Sequence, residues 1–109
     1  MFIKHRAIQP IQSKIETPYY LFTYEITDSE LGTVTISRIG MGYLSCAFAA
    51  IAEFYESKEM NVAAQLALFI RNMGGNNGTQ ELVMRMIETR EKHIYAKYIS
   101  SINRYLMLT

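Results

Sequence analysis

The chain has no tryptophan, one cysteine and two prolines among its 109 residues. A single cysteine excludes an internal disulfide. Cys46 lies in the apolar stretch Leu44 to Ala52, where a free thiol acts as a small hydrophobe, as suits a reducing compartment. Histidine is nearly as scarce, and His5, Cys46 and His93 show no paired ligand spacing, so zinc has no support and no metal or other cofactor is expected. An excess of charge of one sign is missing too. The 11 Lys and Arg against 10 Asp and Glu leave a formal net charge of +1, which excludes a whole-surface field that would steer a polyanion. The most apolar run, Ile39 to Ala52, ends at Glu53 and falls short of the roughly 18 residues that a spanning helix needs. Met1 to Lys14 mix apolar, basic and polar residues without the continuous apolar core of a secretory signal. A cytoplasmic protein with no membrane contact is expected.

What is present is enough apolar surface to fold. Half the residues are hydrophobic and 19% are charged, and a chain of this size buries roughly two thirds of its unfolded surface. A single α+β domain over residues 1–109 is expected. Pro10 and Pro18 bracket a connection between strands, because neither donates a ladder hydrogen bond. Phe2 to Gln9 has strand character with weak alternation: Lys4 and Arg6 fall on the face of Phe2 and Ile8, and Ile3 and Ala7 on the other, which an edge strand tolerates. Pro18 to Thr27 alternates clearly, and Tyr20, Phe22, Tyr24 and Ile26 are its core face. Asp28, Ser29, Glu30 and Gly32 supply turn chemistry, and Val34 and Ile36 share one face of the Thr33 to Ile39 strand that follows, completing a hairpin.

From Gly40 the rhythm becomes helical. Tyr43, Leu44, Ala47, Phe48, Ile51, Phe54 and Tyr55 cover more than one side of a helix, and Val62, Leu66, Phe69, Ile70 and Met73 continue as an amphipathic stripe. Ser57 to Met60 would put Lys58 into an apolar seam, so a break into two helices is favoured there. Gly74 to Gly78 form a loop and Thr79 caps a helix from Gln80 to about Leu106, striped by Leu82, Val83, Met86, Ile87, Ile94, Tyr98, Ile102 and Leu106. Strands first and helices after predict a three-stranded antiparallel sheet with about three helices on one face, the last one long.

Three groups of residues carry functional readings. Gly40, Gly42 and Tyr43 lie at a strand-to-helix junction, where backbone N–H groups can meet an anion, and a small-ligand sensor or enzyme would place its pocket between sheet and helices there. The bland alternative is a tight turn that folds the helix back on the sheet. The basic residues Arg85, Arg90, Lys92, Lys97 and Arg104 interleave with Tyr95, Tyr98 and Tyr105, as a nucleic-acid surface would. Glu81, Glu88 and Glu91 share that helix, and alternating signs describe a solvated face. Glu53 and Glu56 sit one turn apart, yet no nucleophile, base and orienting group can be named as a set. Tyrosine is abundant, and Tyr19, Tyr95 and Tyr105 fall outside the predicted core stripes, as an exposed contact patch would.

A helix from Gln80 to Leu106 would be about 40 Å long at 1.5 Å per residue, more than the width of so small a domain. Its end then needs a partner, and a second copy is the simplest. The expected function is a small non-enzymatic interaction protein acting as a homodimer, with Arg90, Tyr95, Lys97, Tyr98, Arg104 and Tyr105 as the contact surface. The alternatives are a nucleic-acid binder using the same face, and the ligand pocket at Gly40 to Tyr43.

Overall fold

A computed structural model describes residues 1–11, 19–73 and 92–107. Three strands come first and helices follow, an α+β order: β1 (Phe2–Ile11), β2 (Tyr19–Asp28), β3 (Gly32–Gly40), α1 (Tyr43–Ser57), α2 (residues 62–73) and α3 (Lys92–Met107). Internal contacts divide the chain into two compact units, Met1–Ala50 and Ile51–Thr109. Among the described residues no helix is long and apolar enough to cross a membrane.

In the first unit the strands form one sheet in the order β1-β2-β3, antiparallel at both pairings. The strand with the cleanest alternation is the central one. Phe22, Tyr24 and Ile26 are buried, Tyr20 is half-buried on the same face, and Thr23 and Glu25 point the other way. The β2–β3 hairpin is closed by the carboxylate of Asp28, which accepts the N–H groups of Glu30 at 2.9 Å and Leu31 at 3.2 Å. Gly32 follows at φ +86°, a left-handed backbone that only glycine adopts without steric cost.

The weak alternation of β1 has a structural cause. His5 pairs with Tyr24 but Ala7 pairs with Thr23, so Arg6 is the extra residue of a β-bulge. Ile3 and His5 therefore share the core face of Ile26 and Tyr24, and beyond the bulge Ile8 joins them opposite Phe22. The expectation that Phe2 and Ile8 lie on one face is thus corrected: Phe2, opposite Thr27, is on the outer face. That outer face is polar at its centre, where hydroxyls pair across β2 and β3, Thr23 with Ser37 at 3.0 Å and Thr27 with Thr33 at 3.1 Å. Arg6 joins Glu25 there in an ion pair of 2.8 Å.

In the second unit the expected break between helices is present. Glu59 donates its N–H to the carbonyl of Glu56 and Met60 donates to that of Tyr55, each at 3.1 Å, and Glu59 adopts φ 55°. This pair of bonds around a left-handed residue is a Schellman C-cap, built here on glutamate where glycine is usual. Asn61 then starts α2, its side-chain oxygen accepting the N–H of Ala64 at 3.2 Å as an N-cap does. Val62, Leu66, Phe69 and Ile70 are buried, whereas Met73, expected in the same stripe, is exposed. In α3 the expected stripe is seen in its described part: Ile102 is fully buried, and Ile94, Tyr98 and Leu106 are half-buried. The loop Gly74 to Gly78, the cap Thr79 and the helix segment Gln80 to Glu91 lie outside the described residues.

Candidate functional site

At the strand-to-helix junction of the first unit, β3 ends and α1 begins within two residues, and such a reversal demands close approach. A Cβ placed on Gly40 would lie 2.4 Å from Sγ of Cys46, and one on Gly42 would lie 2.9 Å from Oγ of Ser45. Both glycines therefore have a packing reason. The carbonyl of Gly42 accepts the N–H of Cys46 at 3.1 Å and the hydroxyl of Ser45 at 3.2 Å. Cys46 itself is buried and in no disulfide, as its apolar surroundings led one to expect.

Tyr43, the third residue of the junction, seats the helix on the sheet. The hydroxyl of Tyr24, from the middle of β2, donates to its carbonyl at 2.5 Å. Its ring meets those of Tyr24, Phe22 and His5 at centroid distances of 5.6, 6.0 and 5.3 Å, the last two edge-on. Tyr43 nonetheless stays 39% exposed, so the cluster opens to solvent on one side. The Nε2 atom of His5 is buried without a hydrogen-bond partner among the described residues. Sequence reasoning weighed His5 only as a metal ligand and missed its place in this cluster. The signal was its register opposite Tyr24, hidden by the bulge one residue later.

Of the contact surface expected on the last helix, the second unit describes Lys97, Tyr98, Arg104 and Tyr105. Arg90 and the side chain of Tyr95 lie outside the described residues. Tyr98 donates its hydroxyl to the carboxylate of Glu56, which also holds Lys97 Nζ at 3.3 Å. The ammonium of Lys97 stands 5.4 Å from the centre of the Tyr98 ring. Glu56 is held below the usual carboxylate range, first by the Tyr98 hydrogen bond and further by Lys97, with burial opposing. Tyr98 is raised, first by burial and then by the carboxylate it binds. Tyr105 accepts a hydrogen bond from the side-chain amide of Asn61 at its hydroxyl, and its carbonyl accepts one from Arg71 at 2.9 Å.

The two tyrosines thus tie α3 to the end of α1 and to α2, and both are half-buried. Arg104 is exposed. Glu53 and Glu56, both exposed, point to no shared acid–base arrangement: Glu56 is engaged by Tyr98 and Lys97. Among the described residues no three His, Cys, Asp or Glu side chains gather as a metal site would require.

No protein-family model, curated protein or solved structure matches the chain. Function must therefore be argued from surface and geometry.

The sheet's two edges differ. β1 carries Lys4, Arg6 with its bulge, and Pro10, three devices that block addition of another strand. β3 pairs with β2 without interruption from Gly32 to Gly40, contains no proline and has one charged residue, Arg38. Among the described residues no strand lies on its other side.

Proposed function

We propose that the chain is a small interaction protein that acts as a homodimer, without chemistry of its own. The observation that carries this reading is where its apolar side chains remain in water. Among the described residues Phe2, Ile8, Ile39, Met41 and Tyr43 are exposed and belong to the sheet unit, with Phe2 at 66% and Ile39 at 61%, whereas the helical unit exposes two, Met60 and Met73. Single exposed apolar residues are ordinary, but Phe2 and Ile39, opposite Thr27 and Leu21, share the outer face of the sheet, which a partner would cover.

The polar groups of α3 support the same division of labour, since the hydroxyls of Tyr98 and Tyr105 are already engaged within the helical unit. Lys97 is likewise paired with Glu56, which weakens the case for an oligonucleotide surface on this helix. Light scattering over a concentration series tests the reading. A dimer at micromolar concentration is expected, and a monomer throughout that range overturns it. A labelled oligonucleotide that bound at low salt, with affinity falling steeply as salt rose, would replace it by the nucleic-acid reading.

A further inference from the structure

We infer that the dimer contact is the outer edge of β3, along which no strand lies among the described residues, two copies joining their sheets antiparallel about a twofold axis near Thr35; the inference rests on the homodimer reading above. An edge strand presents a row of main-chain donors and acceptors to any strand that fits, and natural sheets guard edges that must stay single. Here the guards are confined to β1, where Lys4, the Arg6 bulge and Pro10 stand, and β3 is left regular over nine residues.

The charge pattern selects a second copy as the occupant. An antiparallel pair centred on Thr35 sets Thr33 opposite Ser37 and Arg38 opposite Gly32 of the other copy, so the only charges on the strand lie at opposite ends. The hydroxyl pairs already bridging β2 and β3 would continue across the new seam. The same operation on β1 would bring Lys4 and Arg6 toward their own copies around a bulge. The seven residues that overlap in this register, 32–38, make about six main-chain hydrogen bonds, within the range of an ordinary protein interface. The contact is isologous, each copy using the same patch, and so it closes at two.

Thr35→Lys tests the inference. Thr35 is exposed on the outer face opposite Glu25, so a lysine there suits the monomer, while across the twofold it meets its own charge. The variant is expected to keep the wild-type circular dichroism and to raise the dimer dissociation constant about tenfold or more. Mixing it with Thr35→Glu is expected to restore dimers in the mixture only. In wild type, amide exchange at residues 33–38 is expected to slow with rising concentration, a readout that needs no variant. A wild-type dimer whose β3 amides ignore concentration, or that survives Thr35→Lys unchanged, overturns the edge contact and leaves the homodimer standing. A monomeric wild type overturns both.

Discussion

At the scale of single residues, the sharpest constraint is at Gly40. A Cβ there would meet the Cys46 sulfur at 2.4 Å, well inside contact distance, so Gly40→Ala should destabilise by about 1–3 kcal/mol through overpacking. If the sulfur is the obstacle, the cost should shrink when Cys46→Ala is introduced as well, and a double-mutant cycle in urea measures that coupling. The Tyr24 hydroxyl makes a separate claim. Tyr24→Phe removes the side-chain hydrogen bond to the Tyr43 carbonyl, and a loss of about 1 kcal/mol is expected in denaturant unfolding.

Glu56 links residue chemistry to pH. Its folded value lies below its unfolded one, so its contribution is fully present above the ordinary carboxylate range and is lost as pH falls through the folded value. Glu56→Gln should flatten that part of the acid limb of stability. Because the side chain is 42% exposed, the effect should be under about 1 kcal/mol, as for solvent-screened pairs. Tyr98 runs the other way: its value is raised, so its contribution holds below the ordinary tyrosine range and fades as pH rises through the folded value. Carboxyl NMR titration of Tyr98→Phe should find Glu56 moved back toward an ordinary carboxylate, and an unmoved Glu56 would show that another group holds it down.

At the scale of elements, the turn after α1 holds a conformation that its residue does not favour. Glu59 sits at φ 55° in the C-cap, where an L side chain costs roughly 1 kcal/mol and glycine nothing steric. Glu59→Gly is therefore expected to raise the melting temperature slightly, and a fall would mean that the glutamate side chain makes a compensating contact. This cap also shows what was legible in the sequence. The missing apolar position at Lys58 revealed that a helix must end, and Asn61 is a cap residue by type. The left-handed turn itself was invisible, because glutamate at its centre hides the glycine signal.

The strands repeat the lesson. β2 could be read directly, since every second side chain from Tyr20 to Ile26 is apolar and the buried face follows. β1 could not, since a single inserted residue moves the sides of all that follow it, and a rule of fixed period averages over the change. For the last helix, the stripe around Ile102 was readable but the pairing of Tyr98 with Glu56 was not. That contact joins residues 42 positions apart, and no local spacing encodes it. Sequence placed Tyr98 both in the apolar stripe and on the contact surface, and Tyr105 outside the stripe; both are half-buried.

At the scale of the whole molecule, the case for self-association has moved from one element to another. The argument from the length of the last helix needs Gln80 to Glu91, which lie outside the described residues. The sheet supplies the argument instead, through exposed apolar side chains and one unguarded edge.

The bulge at Arg6 then acquires a significance beyond its own strand. A sheet open on both sides would accept neighbours without end, growing as a ribbon or fibre rather than closing. On the proposed edge pairing, spoiling one side makes a single surplus residue a chain terminator. Excising Arg6, with Pro10→Thr to return the missing donor, should turn a bounded pair into an elongating polymer, visible as rising turbidity and thioflavin fluorescence.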